Sequence, residues 1–82
     1  MVFRETTVGR KFTHDDAQKL VSNSMRYDSD ITLEMGNKKI NAKSLMGVIS
    51  MVLGRGDTVT VIVTGDDQEE ALTGTIKQLS AK

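Results

Sequence analysis

The sequence has 82 residues, enough for one small domain whose modest core leaves no room for a deep substrate chamber. It has no cysteine and one histidine, His14, which excludes disulfides, thiolate metal sites and a histidine-built metal centre. Eleven basic and eleven acidic side chains cancel, so neither nucleic acid nor an anionic membrane surface is an expected partner. No apolar run approaches the roughly 20 residues of a membrane helix. Met1–Glu5 lacks the apolar stretch of a secretory leader, so the expected location is the cytoplasm. No cofactor or metal is expected.

Val2 to Val8 is rich in β-branched residues and predicts a first strand, followed by a loop at Gly9, Arg10 and Lys11. Thr13 is the predicted cap of a first helix, and Asp15 and Asp16 both suit the positive end of its dipole. Ala17, Leu20, Val21 and Ser24 form its inward stripe, and it should end near Met25 or Arg26. Asp30 to Met35 alternates, Gly36-Asn37 is a two-residue hairpin signal, and Lys38 to Ala42 returns as a third strand with Ile40 inward. Ser44 is the predicted cap of a second helix whose stripe is Leu45, Val48, Ile49 and Val52; Met46 and Met51 fall off that stripe. A glycine loop, Gly54-Arg55-Gly56-Asp57, leads to a strand over Thr58–Thr64. Gly65-Asp66-Asp67 turns into a last helix marked by Ala71, Leu72, Ile76 and Leu79. The paired lysines Lys38 and Lys39 read as solvated loop charges. The order is β-α-β-β-α-β-α. With one apolar face per strand it predicts an α+β domain: a largely antiparallel sheet with its helices on one side.

Within that order, Tyr27–Glu34 resembles the second strand of HPr, the phosphocarrier of the bacterial phosphoenolpyruvate-dependent sugar phosphotransferase system. Lys39–Ser50 resembles the family's regulatory-serine region more specifically. Its Asn41-Ala42-Lys43-Ser44 is especially similar to the Crh branch, associated with catabolite repression. Gly54–Gly65 and the last helix align without gaps. The resemblance implies an open-faced β-sandwich with a four-stranded antiparallel sheet in order 1-4-2-3 and three helices on one face. It also implies a phosphocarrier or regulatory protein rather than an enzyme.

The first helix departs from the family pattern Gly-x-His-Ala-Arg-Pro. Thr13 stands in place of the phosphate-accepting histidine, His14 in place of the alanine, Asp15 of the arginine and Asp16 of the proline. Phosphoryl transfer needs a neutral imidazole nitrogen and free N–H groups at the helix end. Two negative charges ~4 Å apart near a surface repel by roughly 4 kcal/mol, so phosphotransfer through this helix is not expected. Slipping the alignment by one residue makes His14 the acceptor, which is the alternative. Spacing reads Ser44 as a cap; the resemblance implies that it is also a regulatory phosphorylation site for HPr kinase/phosphorylase, read by a CcpA-type regulator. The resemblance further implies a partner-binding face of His14, Asp15, Gln18, Leu45, Met46 and Ile49, open to phosphotransferase-system proteins. A phosphate-independent interaction domain is the remaining alternative.

Overall fold

Thr58–Thr64 alternates threonine with Val59, Val61 and Val63, and this alternation decides which face of the sheet is buried. The computed structural model describes residues 1–82. Its elements are β1 (Val2–Thr7), α1 (His14–Ser24), β2 (Asp30–Met35), β3 (Lys38–Asn41), α2 (Leu45–Met51), β4 (Thr58–Thr64) and α3 (Gln68–Ser80). The strands form one antiparallel sheet in the order β1-β4-β2-β3, as the resemblance implied. In the register, Leu33 of β2 lies opposite Val61 of β4, and Ile31 opposite Val63. Their buried side chains meet Ala17 and Leu20 of α1, Val48 of α2, and Ala71, Leu72 and Leu79 of α3. The other face carries Thr32, Thr60 and Ile62, with Phe3 67% exposed opposite Ile62. No helix is long and apolar enough to cross a membrane.

Two predicted strands are one residue too long, for one reason. Val8 and Ala42 are both fully buried but lie just past the ladder. The Val8 N–H donates to Asp57 O, and the Ala42 N–H to Ile31 O, so each backbone turns into a loop while the apolar side chain stays inside. Asp57 also folds back on its own loop, its carboxylate accepting from the Gly54 N–H at 2.8 Å.

The predicted stripe of α2 fails at its end. Val52 was expected inside and is 78% exposed, while Met51, expected off the stripe, is 3% exposed. The helix stops at Met51, and Val52 takes left-handed backbone, φ 50° and ψ 61°, so the 3.6-residue period no longer governs where its side chain points. A β-branched residue there is strained by about 1–3 kcal/mol. Val52→Gly should therefore raise the urea midpoint, with a gain of about 1 kcal/mol in unfolding free energy. An unchanged or lower midpoint would show that the strain is absent. In α3, Ile76 is only partly buried and Thr75, which the stripe omits, is 1% exposed.

Asp67 stands at the N-cap of α3. It makes no side-chain cap bond there. Its carboxylate instead accepts the N–H groups of Asp28 and Ser29, both at 2.9 Å, and the Ser29 hydroxyl. The Ser29 hydroxyl, followed by the Asp28 N–H, holds its pKa below the usual carboxylate value. This fastens the approach to β2 onto the start of α3.

Candidate functional site

The N-terminus of α1 is built from four consecutive residues and one visitor. Thr13 has extended backbone and caps the helix, its Oγ1 accepting the Asp16 N–H at 3.2 Å. Asp16, at the third helical position, reaches back: Oδ2 accepts the Thr13 N–H at 2.9 Å and the Thr13 hydroxyl at 3.1 Å. That is a capping box with aspartate in the reciprocal place. Arg10 crosses the loop to donate from Nη2 to Asp16 Oδ1 at 2.9 Å, its guanidinium 5.9 Å from the centre of the Phe12 ring. Both oxygens of Asp16 are thus committed.

The Arg10 hydrogen bond, then the Thr13 N–H, pulls the Asp16 pKa from 3.8 to about 2. A carboxylate depressed on folding contributes stability that is complete above its unfolded pKa and is lost as pH falls through the folded one. The contribution should fade between 3.8 and about 2. Asp16→Asn should flatten that part of a thermal-stability profile against pH and cost about 1 kcal/mol at neutral pH. A mutant profile parallel to wild type would contradict the assigned bonds.

Sequence reasoning placed Asp15 beside Asp16 in this niche, and the structure separates them. Asp15 points along the helix to Lys19 Nζ at 3.2 Å, an exposed pair of little energetic weight. Only the third helical residue has the geometry to return to the cap backbone. Asp15 and Gln18 line a shallow polar depression with Ser22, Arg26 and Gln78. His14 is exposed on the first residue of α1 and faces the other way. It borders a mostly apolar groove of about 250 Å³ between α1 and α2, lined by Phe12, Ala17, Val48, Ile49, Val52 and Leu53.

Ser44 caps α2, as its spacing predicted. Its half-buried Oγ accepts the Gly47 N–H at 3.1 Å. Beside it Leu45 is half-buried and Met46 is 79% exposed. Of the six expected face residues, His14 and Ile49 share the groove. Leu45 and Met46 lie at the Ser44 end of α2, and Asp15 and Gln18 lie on the polar flank. Phe12 and Val52 were missed. Phe12 had a usable signal: it precedes the cap and lines the groove with Ala17 at the fourth helical position, the spacing of a hydrophobic staple.

Lys38 was read as a solvated charge. Its Nζ donates to the Ser50 carbonyl at 2.7 Å, so the hairpin pins the last turn of α2. Lys39 pairs with Glu34 at 3.5 Å.

Residues 14–81 match the family described as the PTS HPr component phosphorylation site. The chain is 43% identical over 56 residues to the HPr-like protein Crh of Halalkalibacterium halodurans, covering 68% of this chain and 67% of that protein. It is 45% identical over 56 residues to Crh of Bacillus subtilis, covering 68% and 66%. These alignments span about two thirds of each relative's length. Among solved structures, HPr-C-His of Thermoanaerobacter tengcongensis superposes with a TM-score of 0.92 at 30% identity, covering 99% of this chain and 93% of that one.

Proposed function

The chain belongs to the HPr family, and from that premise we propose that it is a regulatory member. In this reading it acts in the cytoplasm by protein–protein contact and is switched by phosphate on Ser44, and it is neither a phosphocarrier nor an enzyme. The observation that carries the reading is Asp16. Its carboxylate already accepts three donors near the start of α1: the Thr13 N–H, the Thr13 hydroxyl and the Arg10 guanidinium. An arriving phosphoryl group meets a negative charge in place, with the Asp16 N–H and the nearby Arg10 guanidinium already engaged. A threonine where the family has its histidine offers no labile phosphoramidate to pass onward.

Ser44 supports the switch half. Its Oγ lies within reach of the surface and its one hydrogen bond comes from Gly47. Phosphate there adds nearly two negative charges and three strong acceptors, enough to change what the face binds. HPr kinase/phosphorylase is the enzyme that would write it. A CcpA-type regulator or a phosphotransferase-system protein would read it. Asp15 and its partner Lys19 set the polar flank such a reader meets.

Incubation with HPr kinase/phosphorylase and ATP should add one acid-stable phosphate, mapped by peptide mass spectrometry to Ser44. No incorporation removes the switch. A partner that binds equally with and without phosphate would favour an interaction domain. A second reading, a phosphocarrier using His14, draws on the exposure of that imidazole at the first residue of α1.

A further inference from the structure

Val52 is the one residue other than glycine with positive φ. Its side chain gains little from that geometry within the fold, because it is 78% exposed at the mouth of the groove between α1 and α2. Glycine stops a helix in left-handed backbone without strain, and asparagine offsets it with a local hydrogen bond; valine does neither. Strained backbone that holds an apolar side chain in water is better explained by a surface contact than by packing.

The position of Val52 says what covers it. Val52 closes the seven-residue helix that Ser44 opens. Eight positions at a rise of about 1.5 Å put the two roughly 12 Å apart. A partner of ordinary size covers about 800 Å² of each surface, a disc of about 16 Å radius, so one that seats Ser44 reaches Val52. Between them lie Met46, 79% exposed, and half-buried Ile49. The Lys38 ammonium on the Ser50 carbonyl holds this end of α2 in place, so the valine is presented on a fixed support.

We infer that Val52 is a specificity-determining contact for the ATP-dependent serine kinase that modifies Ser44, which inserts an apolar side chain of its own among Phe12, Ile49 and Val52. This rests on the Ser44 reading above. The chemistry stays at Ser44. Its Oγ forms a bond to the γ-phosphorus of ATP, the bond to the bridging oxygen breaks, ADP leaves, and the hydroxyl proton passes to a base of the kinase.

The test is steady-state kinetics with HPr kinase/phosphorylase and ATP, varying the concentration of wild type, Val52→Gly and Val52→Thr. Threonine keeps the branched shape and the strain but puts a hydroxyl in place of one of the two methyls, so the apolar contact is weakened and a polar group is desolvated. The expected result is a KM about tenfold higher for both variants, with the effect in KM and not in kcat. Val52→Gly should do this while unfolding at higher urea than wild type. A merely structural residue would change stability without changing KM. Wild-type phosphorylation with unchanged KM in both variants overturns this inference alone. Absence of phosphate on wild type overturns the Ser44 reading and this inference with it.

Discussion

Ser44→Asn should abolish phosphate incorporation from ATP and HPr kinase/phosphorylase while leaving the fold intact. Asparagine ranks with serine as a helix cap, so it can still accept the Gly47 N–H that Ser44 Oγ now receives at 3.1 Å. It has no hydroxyl to attack phosphorus. Ser44→Ala should also lose the phosphate, but it leaves that N–H without its cap and should cost about 1 kcal/mol of stability. The pair separates chemistry from folding. Loss of phosphate in both, with a lower urea midpoint only in the alanine variant, is the expected pattern. Phosphate retained on Ser44→Asn would place the modified residue elsewhere.

Gly65→Ala should be the most destabilising of the single-methyl changes considered. Gly65 has φ 152°, and a Cβ there would lie 2.4 Å from Ser29 Oγ and 2.6 Å from Ser29 Cα. Ser29 cannot step aside. It is fully buried, and both its N–H and its hydroxyl are held by Asp67. Overpacking a site that cannot relax costs about 1–3 kcal/mol, and the left-handed backbone adds strain of similar size. A loss of about 3 kcal/mol is a large share of the stability of a domain this small and should lower Tm by roughly 12–24 °C. Gly56→Ala is the comparison: φ is 91° but the space around its Cβ is open, so it carries the strain without the clash. Equal losses at the two positions would contradict the account of Ser29 and Asp67 as a fixed clasp.

Contacts local in the chain were legible from sequence and those across it were not. The alternation of Thr58–Thr64 and the stripe of Ala17 and Leu20 gave the buried face and one helix directly, because one period governs the whole element. That logic failed at Val52, where the helix ended and the period with it. The reach of Asp67 to Ser29 spans 38 positions, and that of Lys38 to the Ser50 carbonyl 12, so neither leaves a periodic trace. Sheet order came from the resemblance; alternation says which face is buried but not which strand lies beside which. At α1 the residue types were right and the geometry incomplete. Asp15 and Asp16 look alike in sequence, yet one residue of offset sends the first to Lys19 and the second to the cap. The spacing from Thr13 to Asp16 held that distinction. The arrival of Arg10 had no local signal.

The most direct measurement is incubation of the chain with phosphoenolpyruvate, enzyme I and magnesium, followed by intact-mass and acid-lability analysis, with a working HPr as the positive control. A carboxylate fixed across the start of α1 and no imidazole at position 13 predict an unchanged mass while the control is fully labelled. Acid-labile phosphate on His14 would contradict it, and the chain would then be a carrier despite its aspartates.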